Sequence, residues 1–167
     1  GFDQLASHEI RNDSFTALVP AAMSTERAGL TNSVAIAFPR SPMIVAILGW
    51  ELNVNSNGRF VLGLGTQVKQ HNERRFSTPW SAPAPRMSEY VQALRAIWSC
   101  WEKGVPLKFE GEHYKFTLMT PAFSPPPAGL PSASPGCWRP AARPAGRTSS
   151  RSSPQSRGAT GLRRPTG

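Results

Sequence analysis

The clearest hydrophobic pattern in the chain is an apolar helix followed by a short apolar strand, both within residues 41–65. Ser41 suits the N-cap of this helix, and Pro42 suits its first position, where a missing N–H is not needed. Gly58, which follows Asn57, can adopt the left-handed conformation that ends a helix. Residues 60–64 then form an apolar run of strand length. The segment therefore predicts one helix and one buried strand.

A second apolar run of strand length, residues 30–38, precedes this helix. Strands that are apolar on both faces are typical of a parallel sheet covered by helices. One helix between two such strands matches a right-handed crossover connection. The pattern therefore predicts an α/β fold. Small residues alternate with larger ones along residues 33–38, which is compatible both with the approach of a flat ligand and with ordinary packing.

The remaining periodicity predicts a strand, two helices and a hairpin. Residues 2–6 are predicted as a strand. An apolar helical stripe begins at Phe15, and Pro20 in its second turn should kink that helix or delay its start. Residues 86–103 carry seven apolar side chains at helical spacing, which predicts a helix whose stripe faces the core. Residues 108–117 predict a short β-hairpin.

The composition changes after residue 124, which divides the chain into a globular part, residues 1–124, and a tail, residues 125–167. The tail contains nine Pro and seven Arg and no acidic residue, so it contributes +7 to the net charge of +9. A segment of this composition buries too little apolar surface to offset its chain entropy. The tail is therefore predicted to be disordered.

Three interpretations of the tail are open. Its arginines could neutralise phosphates on nucleic acid, although they are scattered and Trp138 is the one aromatic residue among them. The tail could also be a plain solvated terminus. Because Pro, Ala, Arg and Gly have GC-rich codons, the third and favoured hypothesis is out-of-frame translation, with no selected function.

Cysteine usage and hydropathy exclude several classes of protein. Cys100 falls on a predicted helix and Cys137 in the tail, with no spacing that would suggest a disulfide framework or a metal site. There is no run of 18 apolar residues and no visible signal peptide, so neither a membrane span nor secretion is predicted. A reducing, cytoplasmic setting fits this composition best.

Several motifs together carry a resemblance to a known family. They are Ala-Phe-Pro-Arg-Ser-Pro-Met (residues 37–43), Gly-Arg-Phe-Val-Leu-Gly-Leu-Gly (58–65) and Glu-Arg-Arg-Phe-Ser-Thr-Pro-Trp-Ser (73–81). Two further segments, residues 86–98 and 109–121, follow in the family's order. The chain resembles the luciferase-like monooxygenase superfamily, and within it the branch of deazaflavin (F420)-dependent oxidoreductases. The resemblance extends from Gly1 to about residue 124.

The resemblance implies a (β/α)8 TIM barrel, of which this chain would be a fragment. Such barrels need about 250 residues. The matching segments correspond to about the second to the fourth βα unit, and the first strand would be missing. The expected fold is therefore a partial barrel followed by a disordered C-terminal tail.

The resemblance also implies a set of site residues at the carboxyl ends of the strands. Glu9 corresponds to a glutamate that the branch often has there, and it could bond a flavin-like ring or exchange a proton with substrate. The branch has a histidine three residues later, where this chain has Asn12, so His8 is the candidate substitute, or else a plain solvated histidine. The expected cofactor-binding residues are Ala35, Ile36, Ala37, Gly63, Gly65, Thr66, Gln67 and His71. No metal is expected.

The function implied by the resemblance is hydride transfer to or from a small organic substrate, with coenzyme F420 or, alternatively, FMN as the cofactor. Truncation should impair this activity, and the intact family suggests a homodimer. The alternative from another class is a non-enzymatic fragment whose basic tail binds nucleic acid or other polyanions. Nucleic acid is the less favoured partner.

Overall fold

The computed structural model describes residues 1–126, so the predictions for the tail from residue 127 onward lie outside the described residues. The described part has an α/β fold, as predicted. Its strands are β1 (Gln4–Ser7), β2 (Gly29–Asn32), β3 (Ala35–Ile36), β4 (Phe60–Val61), β5 (Leu64–Gly65), β6 (Phe109–Glu110) and β7 (Lys115–Phe116). Its α-helices are α1 (Val19–Ser24), α2 (Pro42–Asn55), α3 (Lys69–Arg74) and α4 (Pro83–Lys103).

The first five strands pair in parallel, as the apolar runs predicted. One sheet has the order β1-β2-β4, and β3 pairs with β5 in a second ladder. The prediction of two continuous strands at residues 30–38 and 60–64 was wrong, because each is divided into two short segments. The breaks lie side by side, at the cis peptide bond Ser33–Val34 and at residues 62–63. The spacing of apolar residues does not reveal a local change of backbone direction, so the sequence pattern could not show these breaks.

Local signals set the ends of the central helix α2. The Ser41 hydroxyl accepts a hydrogen bond from the N–H of Met43 at 3.2 Å, and Pro42 occupies the first turn. Beyond the last helical residue, Asn57 and Gly58 have φ values of 53° and 77°, which form the predicted left-handed stop. The helix is therefore bounded by the residues that the sequence indicated.

Helix α1 begins later than its apolar stripe, as Pro20 predicted. A 3₁₀ turn, Thr16–Leu18, precedes the α-helix, and Pro20 occupies an early position of α1. The Asp13 carboxylate accepts the backbone N–H of Phe15 at 2.9 Å and that of Thr16 at 2.8 Å. This carboxylate therefore caps the turn. It also fixes the end of the segment that follows β1, residues 8–15, here called the β1 loop.

The long helix α4 and the hairpin after it confirm their predictions. The apolar stripe of α4 packs in the core, where the Trp98 indole donates to the carbonyl of Ala46 on α2 at 3.1 Å. Gly104 ends α4 in the left-handed region at φ 66°. Strands β6 and β7 form an antiparallel hairpin. Within residues 1–126, no helix is long and apolar enough to cross a membrane.

The β1-β2-β4 sheet has one packed face and one exposed face. Leu5, Leu30 and Phe60 form one cross-strand row, of which Leu30 and Phe60 are almost fully buried in the core with α2 and α4. The opposite side, here called the open face, is defined by Gln4, Ala6, His8, Thr31, Ser33 and Val61. All of these except the half-buried Thr31 are exposed. The open face is the side of the sheet on which a ligand has room.

Candidate functional site

The candidate site lies where the parallel strands end at their carboxyl termini. His8 and Glu9 directly follow β1, and successive residues of an extended chain point to opposite sides. His8 is exposed on the open face, whereas the side chain of Glu9 is only 8% exposed. The two predicted catalytic residues therefore have different surroundings, and His8 is the one that solvent and ligands reach.

Glu9 is held by the segment that follows β3. Its carboxylate accepts the backbone N–H of Ile36 at 3.0 Å and the Arg40 guanidinium at 2.8 and 2.9 Å. Arg40 also donates to the carbonyl of Ile36 at 2.9 Å and to the Asp13 carboxylate at 2.6 Å. These bonds connect the β1 loop to the end of β3, so Glu9 is part of a largely buried ion-pair cluster.

The same contacts shift two pKa values. Burial by itself raises the pKa of Asp13, but hydrogen bonds from the Thr16 N–H, Arg40 and the Phe15 N–H outweigh it, so the pKa lies below its usual value. Burial by itself lowers the pKa of Arg40, and the carboxylates of Glu9 and Asp13 outweigh it, so the pKa is raised. Asp13 and Arg40 therefore keep their charges at neutral pH.

Three of the predicted cofactor-binding residues, which lie on and after β3, are buried. Ala35, Ile36 and Ala37 are at most 3% exposed, and their N–H groups bond Gly63, Glu9 and Gly65. The exposed residues beside them are Ser33 and Val34, which lie in the break directly before β3. Sequence reasoning missed them, because the break in the strand moves the exposed positions.

Gly63 and Gly65 make room for this break. A Cβ on Gly63 would collide with the backbone carbonyl of Asn32, and a Cβ on Gly65 would lie 2.6 Å from a methyl carbon of Val34. The close approach is therefore made by the backbone of β2 at Gly63 and by the Val34 side chain at Gly65. Their contact with a cofactor stays a prediction.

The segment after β5 holds the remaining predicted residues. Thr66 and Gln67 are half-buried, and Gln67 has a left-handed φ of 59°. His71 is exposed on α3, a helix that the sequence did not predict. Asn72, which sequence reasoning also missed, is fully buried and donates to the carbonyls of Thr66 at 3.0 Å and Val68 at 3.1 Å. The sequence carried no local signal for Asn72, because its position depends on α3, which the pattern did not predict.

Arg75, just after α3, connects the segment that follows β5 to the segment that follows β1. Its guanidinium donates to the carbonyl of Ile10 in the β1 loop at 2.9 Å. The structure thus brings together His8, Ser33, Val34, Thr66 and Gln67 along one edge. Among residues 1–126 no group of His, Cys, Asp and Glu side chains is arranged to hold a metal ion.

A sizeable cavity lies elsewhere in the described chain. Its volume is about 610 Å³, and its lining includes Cys100, Trp101, Leu107, Met119 and Pro121. It contains none of the predicted site residues. The strand-end edge, in contrast, is an open surface in residues 1–126.

A comparison with family models identifies the family of this chain. A sequence model of the luciferase-like monooxygenase family matches residues 1–149, which extends beyond the resemblance found up to residue 124. The chain therefore belongs to the luciferase-like monooxygenase family.

Two curated relatives cover most of the described chain. An uncharacterized protein of Mycobacterium tuberculosis is 51% identical over 131 residues, which are 78% of this chain and 38% of that protein. A 5,10-methylenetetrahydromethanopterin reductase of Archaeoglobus fulgidus is 30% identical over 127 residues, which are 75% of this chain and 37% of that protein. The chain thus spans under two fifths of the length of these relatives.

Two solved structures share the fold. A monooxygenase from Streptomyces bottropensis has a TM-score of 0.60 at 22% identity, over 74% of this chain and 37% of that one. The coenzyme F420 dependent tetrahydromethanopterin reductase from Methanopyrus kandleri has a TM-score of 0.54 at 21% identity, over 70% and 37%. A putative coenzyme F420-dependent oxidoreductase of Mycobacterium tuberculosis is 31% identical over 119 residues, which are 71% of this chain and 33% of that protein. Together with the family model, this relative confirms the resemblance to the superfamily and to its deazaflavin branch.

Proposed function

We propose that this chain is part of a luciferase-like oxidoreductase that transfers hydride between a deazaflavin or flavin cofactor and a small organic substrate. The described strands would form consecutive strands of a (β/α) barrel, with the open face turned toward its axis. The observation that carries the proposal is the exposed strand-end edge of the sheet, in a chain that belongs to this family. Ligands of parallel α/β proteins bind at that edge.

The open face fits a flat aromatic ring. Ala6, Thr31 and Val61 form one cross-strand row, and Val61 is 49% exposed. Val34, which is 45% exposed, lies over the two glycines at the break. Small and branched apolar side chains of this kind offer a surface on which a tricyclic ring can stack. Coenzyme F420 is the proposed cofactor, with FMN as the alternative.

The polar groups at this edge would orient the bound molecules. When bound, the cofactor supplies the hydride-carrying ring carbon. The exposed His8 imidazole, whose ring nitrogens can donate and accept a proton, is proposed to exchange a proton with substrate at the open face. Glu9 acts on the site through Arg40 and Ile36, which it holds in place. Thr66, Gln67 and His71 are proposed to contact the rim of the cofactor.

A binding titration with matched variants tests this proposal. The purified chain is titrated with coenzyme F420 and with FMN, following fluorescence quenching, while circular dichroism monitors folding. We expect saturable binding of at least one cofactor. Val34→Glu should weaken it about tenfold or more, because stacking would bury an unpaired charge.

Val54→Glu is the control for that variant. Val54 lies on α2 and is 40% exposed, similar to Val34, but it is not on the strand-end edge. It should leave the dissociation constant unchanged. A folded chain that binds neither cofactor, or equal weakening by both variants, would contradict the proposal.

A further inference from the structure

Arg86 on α4 joins three separate segments of the described chain. Its Nε donates to the hydroxyl of Tyr114 in the hairpin at 3.0 Å, and its Nη1 donates to the carbonyl of Pro79 at 2.9 Å. The guanidinium also lies 4.4 Å from the centroid of the Phe38 ring and donates to the Phe38 carbonyl at 3.5 Å. One side chain therefore connects the hairpin to the segment that follows β3.

Tyr90, one helical turn further along α4, holds the other end of that segment. Its hydroxyl donates to the Arg40 carbonyl at 3.2 Å, and its ring packs edge-on against Tyr114 at 5.4 Å. Burial raises the pKa of Tyr90, so the hydroxyl keeps its proton and remains a donor. Tyr114 thus contacts both residues of α4 that hold residues 38–40.

Glu89 determines where Tyr114 lies. Its carboxylate accepts the backbone N–H groups of Glu112, His113 and Tyr114 at 3.1, 2.8 and 2.6 Å. A Cβ on Gly111 would collide with the same carboxylate, so the turn of the hairpin lies directly on it. The hairpin is therefore fixed to α4 at its turn as well as at the Tyr114 ring.

We infer that Arg86 and Tyr114 are positioning residues for the candidate site. They fix residues 38–40, which place the Arg40 guanidinium between Glu9 and Asp13. Those two carboxylates in turn fix the β1 loop that carries His8. The relevance of this coupling to catalysis rests on the proposed function, whereas the coupling itself is a property of the fold. The hairpin therefore supports the candidate site through these contacts.

Native-state hydrogen exchange, measured by NMR, tests the coupling without any ligand. Tyr114→Phe keeps the ring but removes the acceptor of Arg86, and Arg86→Met keeps an apolar stem on Phe38. Both variants should speed exchange of the Ile36 and Arg40 amides about fivefold, which is the effect of one net hydrogen bond. The Leu30 amide, bonded to the Arg59 carbonyl at 3.0 Å, should be unchanged. If Arg86→Met does not fold, Tyr114→Phe decides.

Two control variants separate this effect from general loosening. Gln92→Ala changes an exposed residue of α4 that donates to Ser88, and Lys115→Gln changes an exposed hairpin residue that pairs with Glu110. Neither should alter the Ile36 or Arg40 amide.

One pattern of exchange would overturn the inference. In that pattern the Tyr114→Phe variant would exchange the Gly111 amide faster but leave the exchange rates of the Ile36 and Arg40 amides unchanged. The Gly111 amide donates to the Tyr114 carbonyl within the hairpin. Failure of the parent chain to bind F420 or FMN would instead count against the proposed function alone. The two failures are therefore distinguishable.

Discussion

Gly63→Ala is expected to lower the free energy of unfolding by about 3 kcal/mol, enough to unfold much of a marginally stable chain. The new Cβ would collide with the backbone carbonyl of Asn32. A backbone atom cannot rotate away as a side chain can. The ends of β2 and β4 must therefore separate, which would disturb the break at Ser33 and Val34 on which the candidate site depends.

Urea unfolding followed by circular dichroism measures this loss, with Gly29→Ala as the control. Gly29 lies in β2 of the same sheet, and a Cβ there would find its nearest neighbour, Gln4 Cγ, at 3.6 Å, which is ordinary contact. The control should therefore stay close to the parent chain. Similar unfolding midpoints for both variants would show that the packing described at Gly63 is wrong.

Arg40→Met should cost about 3–5 kcal/mol, because it leaves a buried carboxylate without its cation. The Glu9 side chain is only 8% exposed and bonds the guanidinium through both oxygens. Asp13 would lose its closest cation as well. The β1 loop would then separate from the end of β3.

A double variant shows whether the cost comes from the unpaired charge. Glu9→Gln combined with Arg40→Met removes that charge and keeps an acceptor for the Ile36 N–H, so it should be more stable than Arg40→Met alone. Lys69→Met, which breaks an exposed pair with Glu73 at 3.9 Å, should cost less than about 0.5 kcal/mol. Equal costs for Arg40→Met and Lys69→Met would contradict the structural role of the cluster.

The features that the sequence predicted well are those with local causes. Ser41, Pro42 and Gly58 bound α2 through contacts with residues a few positions away. The stripe of α4 is a repeat of one helical face, and it does lie in the core. Pro20 delays α1 through its own ring and missing N–H. Each of these effects depends on residues that lie close together in the sequence.

The features that the sequence missed depend on distant residues. Glu9 and Arg40 are 31 positions apart, and nothing local indicates that they pair. The break at Ser33 and Val34 requires that Gly63, between β4 and β5, has no side chain. Because the exposed positions shift at that break, Ser33 and Val34 are exposed while Ala35, Ile36 and Ala37, the predicted cofactor-binding residues of this segment, are buried.

The most direct test of the account is to locate cofactor binding on the chain by amide NMR during a titration with coenzyme F420. We expect saturable shift changes at His8, Ser33, Val34, Gly65 and Thr66, along the strand-end edge, with the Val54 amide on α2 unchanged. Changes confined to residues around the 610 Å³ cavity, such as Cys100, Leu107 and Met119, would contradict it.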